Sequence, residues 1–376
     1  MKVLMTITYY APNISGLTIY AKRLAEGLVK KGHQVTILTS KYDPSLPTKE
    51  TINGVKIKRS PVFLKIGKGV IMPFFPFEAW RLIKKSDVIN CHLPQPEAFW
   101  PLFLGRISNK KTTVTYQCDV KLPLGRRNFL TEKVLLISNF LNCFLAEKMV
   151  SSSLDYAKNS SLLRLFLKKL KIIYPPIKNF SQMKQDKNFA QKISTYKKKH
   201  KIGFIGRLAA EKGIKYLFLS IPFLKKKLAS FGIFMVGPKK PIGEKLYQNK
   251  VNKLSQKYKN NVFWMGKLTE ERLSTFFKSI DVLVLPSINS TEAFGMTQVE
   301  AMLCGIPVVA SDLPGVRVPV KITGMGKIVP IKEPQKIAEA IVEILNNKKS
   351  FVKPRKKIKE IFSLQKTIES YEKILF

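Results

Sequence analysis

The sequence predicts an α/β protein of two domains, each with a parallel sheet covered by helices. Apolar runs of strand length alternate with segments of helical period along the whole chain, which is typical of parallel strands joined by crossover helices. The 376 residues are about twice the ~150 residues expected of one domain. A polar, lysine-rich stretch begins at two adjacent prolines, and we expect a hinge at residues 174–178.

The first domain is expected to cover residues 1–175. A helix is predicted over about 19–31, because Leu24 and Leu28 share one face and Gly32 suits the end of a helix. Strands are predicted where short apolar runs recur, at KVLMTITYY, HQVTILTS, 87–92 and 112–120.

The second domain, residues 176–360, repeats this alternation. Its strands are predicted at 201–208, 231–237, 261–266, 281–287 and 307–311. Ligands of such sheets bind beyond the carboxyl ends of the strands. We therefore expect the functional residues just after strands, in a cleft between the two domains.

The chain is strongly basic, with a formal net charge of +41. Such a charge favours partners that carry phosphates or anionic lipids. The excess is spread evenly, at +18 for residues 1–175 and +23 for residues 176–376. An even spread also fits a general lysine bias, whereas nucleic-acid binders more often concentrate arginine and aromatic residues on one element. We expect no nucleic-acid partner, and the membrane alternative stays open.

Cysteine usage and hydropathy place the protein in the cell interior. The four cysteines have apolar neighbours and no metal-ligand spacing, so buried thiols in a reducing compartment are expected, and no metal. The start of the chain lacks the cleavage site of a signal peptide. The apolar run 134–146 is shorter than the ~20 residues needed to span a membrane. We expect a cytoplasmic protein, with a peripheral position on the inner face of the cell membrane as an option.

Two cations follow the strand predicted at 201–208. In FIGRLAAEKGI, Arg207 and Lys212 lie between that strand and the next helix. Two positive charges and the amides of a helix start can compensate a diphosphate without a metal. Both residues could instead be ordinary exposed members of a basic chain, but their place at the carboxyl end of a strand favours a binding site.

A glycine turn follows the strand predicted at 281–287. In TEAFGMTQVEAMLCG, a helix is predicted to begin at Gly295 or Met296. Gly295 lets the backbone come close to a ligand. The amides from Phe294 onward would then face an anion at the positive end of the helix dipole.

Two glutamates flank this turn. Glu292 precedes it and Glu300 lies about one turn inside the helix. A carboxylate can accept hydrogen bonds from two hydroxyls at once, as a sugar or a ribose requires. An acidic residue near a helix start often only compensates the dipole, but the spacing around the glycine favours a ligand site.

These motifs resemble those of the retaining glycosyltransferases of family 4. TEAFGMTQVEAMLCGIPVVAS and GRLAAEKG are similar to the family's donor-binding motifs, and YYAPNISGLTIYAKRLAEGLVKKGHQVTILTS is similar to its N-terminal signature. The resemblance covers the chain almost end to end. It implies the GT-B fold, in which two Rossmann-like domains face each other across a cleft and bind a nucleotide sugar.

The resemblance implies a role for each motif residue of the second domain. Glu292 would contact the hydroxyls of the donor sugar, and Glu300 would bind the ribose. The backbone from Phe294 through Gly295 to Met296 would donate amides to the sugar and the phosphates. The two cations, Arg207 and Lys212, would neutralise the diphosphate and the leaving group.

The resemblance also reaches the first domain. Gly16 would let the backbone approach the phosphates or the acceptor, and His92 would face the donor sugar. A lone histidine is more often structural, but His33 lies in a turn and His200 in the connector, which leaves His92 for chemistry. The last segment, 361–376, would be a helix that crosses back to the first domain.

The chain departs from the family pattern at three places. Ser15 stands where the first loop usually has a second glycine, and Gln117 replaces a common histidine. The segment SDLPGVRVPV lacks the acidic residue that commonly follows its glycine and has Arg317 nearby instead.

The segment from Pro61 to Phe77, PVFLKIGKGVIMPFFPF, interleaves aromatic residues with lysines. This pattern suits an anionic membrane surface, where apolar insertion and charge attraction add together. A buried loop and helix start would look similar. If the membrane interpretation holds, replacing Phe74, Phe75 and Phe77 by serine should reduce binding to vesicles.

The expected activity is transfer of a sugar from a UDP- or GDP-sugar to a hydroxyl of a lipid-linked or polysaccharide acceptor. Retention of configuration and independence of metals are expected. A same-face route is preferred to a covalent intermediate. The alternatives are a sugar-nucleotide epimerase of the same fold and, further off, a basic nucleic-acid-binding protein.

Overall fold

The structure is a computed structural model that describes residues 1–67, 69–122, 125–239 and 244–376. It divides the chain into two compact units. The N-terminal unit comprises Met1–Pro176 and Ser363–Phe376, and the C-terminal unit comprises Ile177–Phe362. The predicted fold class is confirmed, because each unit is built on a sheet of mainly parallel strands.

The N-terminal unit contains an eight-stranded sheet and a two-stranded hairpin. Its strands are β1 (Lys2–Thr6), β2 (Gln34–Lys41), β3 (Lys49–Ile52), β4 (Val55–Pro61), β5 (Leu64–Ile66), β6 (Gly69–Ile71), β7 (Val88–Leu93), β8 (Lys111–Tyr116), β9 (Lys148–Ser151) and β10 (Leu170–Ile172). The large sheet has the order β10-β9-β8-β7-β1-β2-β4-β3, and β5 pairs with β6. Among the described strands of the large sheet, only β3 runs antiparallel to its neighbour. The order therefore reverses between β1 and β7.

Helices cover this sheet in two groups. The helices of residues 1–176 are α1 (Gly16–Lys30), α2 (Phe75–Ile83), α3 (Phe99–Ile107), α4 (Arg126–Leu145) and α5 (Leu154–Asn159). Helix α2 packs against α3, and α3 packs against α4. The last helix of the chain, Leu364–Leu375, packs on α1, β7 and β8. Its Tyr371 hydroxyl is 2.8 Å from that of Tyr20 and 3.0 Å from Oγ1 of Thr115.

The C-terminal unit contains a six-stranded parallel sheet. Its strands are β11 (His200–Ile205), β12 (Phe231–Val236), β13 (Val262–Gly266), β14 (Val282–Leu285), β15 (Val308–Ser311) and β16 (Gly326–Val329). Its helices are α6 (Lys187–Ser194), α7 (Ile214–Leu219), α8 (Ile221–Lys225), α9 (Lys245–Lys257), α10 (Glu270–Ser279), α11 (Met296–Leu303), α12 (Val318–Thr323), α13 (Pro334–Asn346), α14 (Lys348–Phe351) and α15 (Arg355–Ile361), and the last helix of the chain is α16. The strand order is β13-β12-β11-β14-β15-β16.

The sequence of each central strand explains its burial. The strands β12, β14 and β15 are apolar at nearly every position and buried throughout, as expected for a parallel sheet with helices on both faces. Helices α7, α8 and α13 supply the apolar residues packed against them. This sheet reverses its order between β11 and β14, so the loops after these two strands lie side by side.

The sequence missed several elements. The antiparallel pair of β3 and β4 turns at Asn53 and Gly54, which both have positive φ, the usual arrangement of an Asn-Gly hairpin. The strands β9, β10 and β16 have only three or four residues, too few for a clear pattern. In the part of the chain that the structure describes, no helix has both the length and the apolar character needed to cross a bilayer.

Candidate functional site

The strongest candidate site lies where the C-terminal sheet reverses its order. The loop after β11 carries Arg207 and Lys212, and the loop after β14 carries Glu292. Because β11 and β14 are parallel neighbours, both loops leave the same edge of the sheet. The structure thus brings together the two cations and the first glutamate predicted from the sequence.

Gly213 brings the two loops into contact. Its φ is +65°, and a Cβ there would lie 1.8 Å from the carbonyl oxygen of Pro286, so only glycine fits. The amide of Ile288 donates to the carbonyl of Glu211 at 3.0 Å. The residue just before Gly213 is Lys212, so this close approach places its side chain beside the β14 loop.

Lys212 forms an ion pair with Glu292. Its Nζ donates to Oε2 of the glutamate, and both side chains are mostly buried. The hydroxyl of Ser287 lies 3.4 Å from the same oxygen. Partial burial strengthens such a pair relative to an exposed one, so each partner holds the other in a defined position.

A second pair joins Arg207 to Glu211, which the sequence interpretation overlooked. Nη2 of the arginine donates to Oε1 of the glutamate at 2.9 Å, and Glu211 is buried although charged. The available signal was its position in AAEKG, three residues before the helix that begins at Ile214. The two cations are thus each paired with a carboxylate.

Helix α11 begins next to these pairs. Gly295 precedes it with φ of +76°, and a Cβ there would lie 2.3 Å from a methyl group of Leu285. No side chain caps this end, and the first amides of a helix lack partners inside the helix. The amide of Met296 therefore belongs to a helix end that favours an anion.

Phe294 and Glu300 are both held inside the C-terminal unit. The ring of Phe294 is buried, with its centroid 5.9 Å from that of Phe362. Glu300, on the second turn of α11, is only 5% exposed. A buried carboxylate at this place is costly unless it is well hydrogen-bonded, which agrees with a ligand-binding or an internal structural role.

The N-terminal unit has the equivalent place between β1 and β7. Gly16 is the first residue of α1 rather than a loop residue, and Ser15 caps that helix by accepting a hydrogen bond from the amide of Thr18 at 3.1 Å. The serine that replaces a family glycine is therefore a helix cap. A Cβ on Gly16 would meet no atom within 4 Å, so packing in this unit does not require glycine there.

His92 lies in β7 and is almost completely buried. The amide of Gln117 donates to its Nδ1 at 2.8 Å, which leaves the proton of the neutral ring on Nε2. Burial lowers the pKa of His92 to about 3. Nε2 has no hydrogen-bond partner among the described residues. The imidazole is thus a neutral ring with one uncommitted donor.

More buried polar groups surround the end of β7. Thr6 donates to Oε1 of Gln95 at 2.8 Å, and Asn142 of α4 donates to the carbonyl of Gln95 at 3.2 Å. Burial raises the pKa of Glu97 to about 7, so this carboxyl is neutral for part of the physiological range. Glu97 is half-buried, with one carboxylate oxygen shielded from solvent. The sequence interpretation overlooked it, because nothing in its local pattern marks this environment.

The segment 61–77 is partly exposed and partly core. Phe63, Phe74 and Phe77 are exposed, whereas Phe75 is fully buried at the start of α2. The expectation that Phe75 faces a membrane is therefore wrong, because the helical turn rotates it toward the sheet. Lys68 lies outside the described residues. Among the described residues, no three histidine, cysteine, aspartate or glutamate side chains come together as a metal site requires.

Two family profiles match the chain. Residues 14–175 match Glycosyltransferase Family 4, and residues 185–361 match Glycosyl transferases group 1. The uncharacterized glycosyltransferase MJ1607 of Methanocaldococcus jannaschii is 29% identical over 365 residues, covering 92% of this chain and 90% of its own. The O-antigen chain mannosyltransferase C of Escherichia coli is 22% identical over 373 residues, covering 97% and 95%.

Solved structures agree in fold. Sucrose-phosphate synthase from Thermosynechococcus elongatus has a TM-score of 0.77 at 18% identity, covering 99% of this chain and 98% of its own. Anabaena HepE in complex with UDP-glucose has a TM-score of 0.77 at 16% identity, covering 100% and 99%. With a family profile matched in each half and a common fold over its full length, the chain belongs to the family 4 glycosyltransferases of the GT-B fold.

Proposed function

We propose that this glycosyltransferase moves a sugar from a UDP- or GDP-sugar to a hydroxyl acceptor and retains the anomeric configuration. The observation that carries the proposal is the group formed by Lys212, Arg207 and Glu292 beside the uncapped start of α11. Cations and helix amides suit the two phosphates, and a carboxylate suits sugar hydroxyls. The HepE structure contains UDP-glucose, which supports a nucleotide-sugar donor.

The ion pairs define what donor binding requires. Each cation already has a carboxylate partner, so the four side chains carry no net charge. A diphosphate would draw Lys212 and Arg207 toward its oxygens and release part of the hydrogen-bonding capacity of Glu292. That carboxylate would then accept from hydroxyls of the donor sugar, and Glu300 would accept from the ribose.

In this mechanism the leaving phosphate acts as the base. It would take the proton of the acceptor hydroxyl on the face from which it departs, which retains configuration without a covalent intermediate. Arg207, Lys212 and the first amides of α11 would stabilise the negative charge that develops on the phosphate. No metal is proposed for this step. Activity should therefore persist in EDTA, and restoration of lost activity by Mg²⁺ would contradict the proposal.

The acceptor is proposed to be lipid-linked or a growing polysaccharide. Relatives named as an O-antigen chain mannosyltransferase and as D-rhamnosyltransferase WbpZ support this class. His92 would donate from Nε2 to an oxygen of the donor sugar, with Gly16 nearby in the same unit. The exposed rings of Phe63, Phe74 and Phe77 would contact the inner face of the cell membrane.

A thermal-shift panel tests the donor proposal. UDP-, GDP- and ADP-sugars are added to the wild-type protein and to Lys212→Ala. One nucleotide class should raise the Tm of the wild type, because a ligand stabilises in proportion to ln(1 + [L]/Kd), and the variant should respond less. A chain that responds to none of these donors would contradict the proposal. Isomerisation of the donor without any acceptor would indicate an epimerase instead.

A further inference from the structure

Helix α4 exposes most of its apolar side chains and buries two asparagines. The exposed apolar side chains are Phe129, Leu130, Val134, Leu136, Ile137, Phe140, Leu141 and Phe144. The buried positions include Asn139 and Asn142, and Asn142 is hydrogen-bonded to the backbone of Gln95. An ordinary surface helix has the opposite arrangement, with its apolar stripe against the core. Helix α4 is therefore built to meet an apolar environment on its outer side.

The neighbouring helix α3 extends this surface. Trp100, Phe103 and Ile107 are exposed and lie three and four positions apart, so they share one side of α3. The two helices pack together and enclose a groove of about 350 Å³, lined by Phe99, Val134, Ile137, Ser138 and Leu141. We call this combined surface of α3 and α4 the α3–α4 face.

An exposed apolar surface of this kind requires an occupant. Water-soluble monomers rarely leave large contiguous apolar patches exposed, and such patches usually mark sites of protein or membrane interaction. Helix α4 has 20 residues, but it lacks the apolar character of a membrane-spanning helix. Its exposed apolar side chains instead suit a position parallel to a bilayer, at the boundary between headgroups and acyl chains.

Cations beside the apolar side chains favour an anionic occupant. Nζ of Lys133 lies 5.3 Å from the ring centroid of Phe129, and that of Lys169 lies 5.6 Å from the ring centroid of Phe144. These cations border the apolar side chains, as at an interface with anionic lipid. A second copy of the chain would bring like charges together.

We propose that the α3–α4 face docks on an anionic lipid bilayer, with α4 lying in the plane of the interface. This surface is distinct from the segment 61–77, although α2, which carries Phe77, packs beside α3. The inference rests on the proposed function in one respect, since a lipid-linked acceptor would be presented at the same bilayer. Docking itself requires neither donor nor acceptor.

Vesicle flotation tests the proposal. The full-length protein is mixed with vesicles of phosphatidylcholine and phosphatidylglycerol, and with vesicles of phosphatidylcholine alone. The wild type should float with the anionic vesicles and bind less at high salt. The triple variant Val134→Ser, Ile137→Ser, Leu141→Ser should bind at least about tenfold more weakly, because each 1.4 kcal/mol of lost apolar burial is a factor of ten.

A matched control removes an equally exposed apolar side chain elsewhere. Leu246, on α9 of the C-terminal unit, is 81% exposed, and Leu246→Ser should float like the wild type. Circular dichroism and Tm show whether the triple variant is folded. If it misfolds, Ile137→Ser alone provides a milder change, which weakens apolar insertion and leaves the net charge unaltered. Undiminished flotation of a folded variant, or a wild type that ignores anionic vesicles, would overturn the proposal.

The fluorescence of Trp100 gives a second measurement of docking, in a protein whose α3–α4 face is unchanged. Its fluorescence should shift to shorter wavelength on anionic vesicles and be quenched by lipids brominated on their acyl chains, and Trp100→Phe should abolish that part of the signal. A protein that dimerises through this face would show a mass change in the triple variant by light scattering, which would contradict lipid as the occupant. Donor binding is measured separately by thermal shift, so failure of docking and failure of the proposed transferase chemistry are distinguishable.

Discussion

Both units are built on a mainly parallel sheet whose strand order reverses once. The side chains that lie near this reversal differ between the units. Between β11 and β14, the C-terminal unit has two ion pairs, Lys212 with Glu292 and Arg207 with Glu211. Between β1 and β7, the N-terminal unit has neutral buried groups, led by His92 with its Gln117 partner. Charged groups that can exchange partners suit a diphosphate, whereas neutral donors and acceptors suit hydroxyls. Because the architecture is shared, the side chains in the loops determine what each unit can bind.

The largest expected effect comes from removing a positive charge from the site between β11 and β14. Lys212→Ala should lower kcat/KM for the donor by about 10²–10³-fold, the usual loss for a group that stabilises charge in the transition state. Steady-state kinetics with the donor identified by thermal shift measure it. The loss should appear mainly in kcat, since the leaving phosphate gains charge during the reaction.

The control for this experiment is Lys226→Ala. Lys226 is exposed and follows α8 in the same unit, so its removal changes the net charge equally. If both variants lose activity to the same extent, the effect comes from overall charge, and the assignment of Lys212 to the phosphates is wrong.

A smaller loss is expected at the other end of the proposed donor site. Glu300→Ala should lower kcat/KM by about 10–100-fold, chiefly through a higher donor KM, because hydrogen bonds to a charged group contribute about 1.5–3 kcal/mol. Glu343→Ala, an exposed glutamate of α13 paired with Lys327, is the control. Kinetics like those of the wild type in a folded Glu300 variant would remove the ribose role.

The groups near the end of β7 are tested by measuring how the stability of the protein depends on pH. The raised pKa of Glu97 means that the folded state holds its proton more tightly than the unfolded chain. Its contribution to stability is therefore complete below about pH 4.5 and is lost as the pH rises through 7. Glutamine mimics the protonated acid, so Glu97→Gln should change little at pH 4.5 and stabilise by about 1–3 kcal/mol at pH 8.

Urea unfolding at the two pH values measures this difference. His92 has the opposite dependence, since its lowered pKa makes protonation favour the unfolded chain as the pH falls below 6.5. Because His92 is present in both proteins, the comparison of variant with wild type cancels its contribution. An equal effect of Glu97→Gln at both pH values would show that the carboxyl is not buried as the structure has it.

The sequence was sufficient for the central strands and for much of the charged site. Strands such as β12 and β14 are buried on both faces, so their apolar runs are visible without any partner. Arg207 and Lys212 lie in the loop after β11 and Glu292 lies in the loop after β14, and the proximity of these loops follows from the parallel sheet. The chemical roles of these residues stay predictions.

Features that depend on helical phase could not be predicted. Phe74 and Phe75 are adjacent in sequence, yet the start of α2 exposes one and buries the other. The apolar run of α4 does not reveal which of its side chains are exposed, and Asn139 and Asn142 are among the buried ones. Only the packed structure decides which side of a helix faces the sheet, because several phases satisfy the same local pattern.

The smallest expected effect concerns the chain of hydroxyls beside His92. The ring of Tyr20 lies edge-on to His92 at 5.9 Å between centroids, and its hydroxyl contacts that of Tyr371 on α16. Tyr371→Phe should cost about 1–2 kcal/mol in urea unfolding, because the buried hydroxyl of Tyr20 loses its partner. Tyr20→Phe should cost less, because the Tyr371 hydroxyl keeps Oγ1 of Thr115 as a partner. The double variant should cost less than the two single variants added together, because both single variants lose the same hydrogen bond. Strict additivity would contradict a direct contact. An unchanged donor KM in all three variants would show that these hydroxyls do not affect donor binding. A raised donor KM would show that they do.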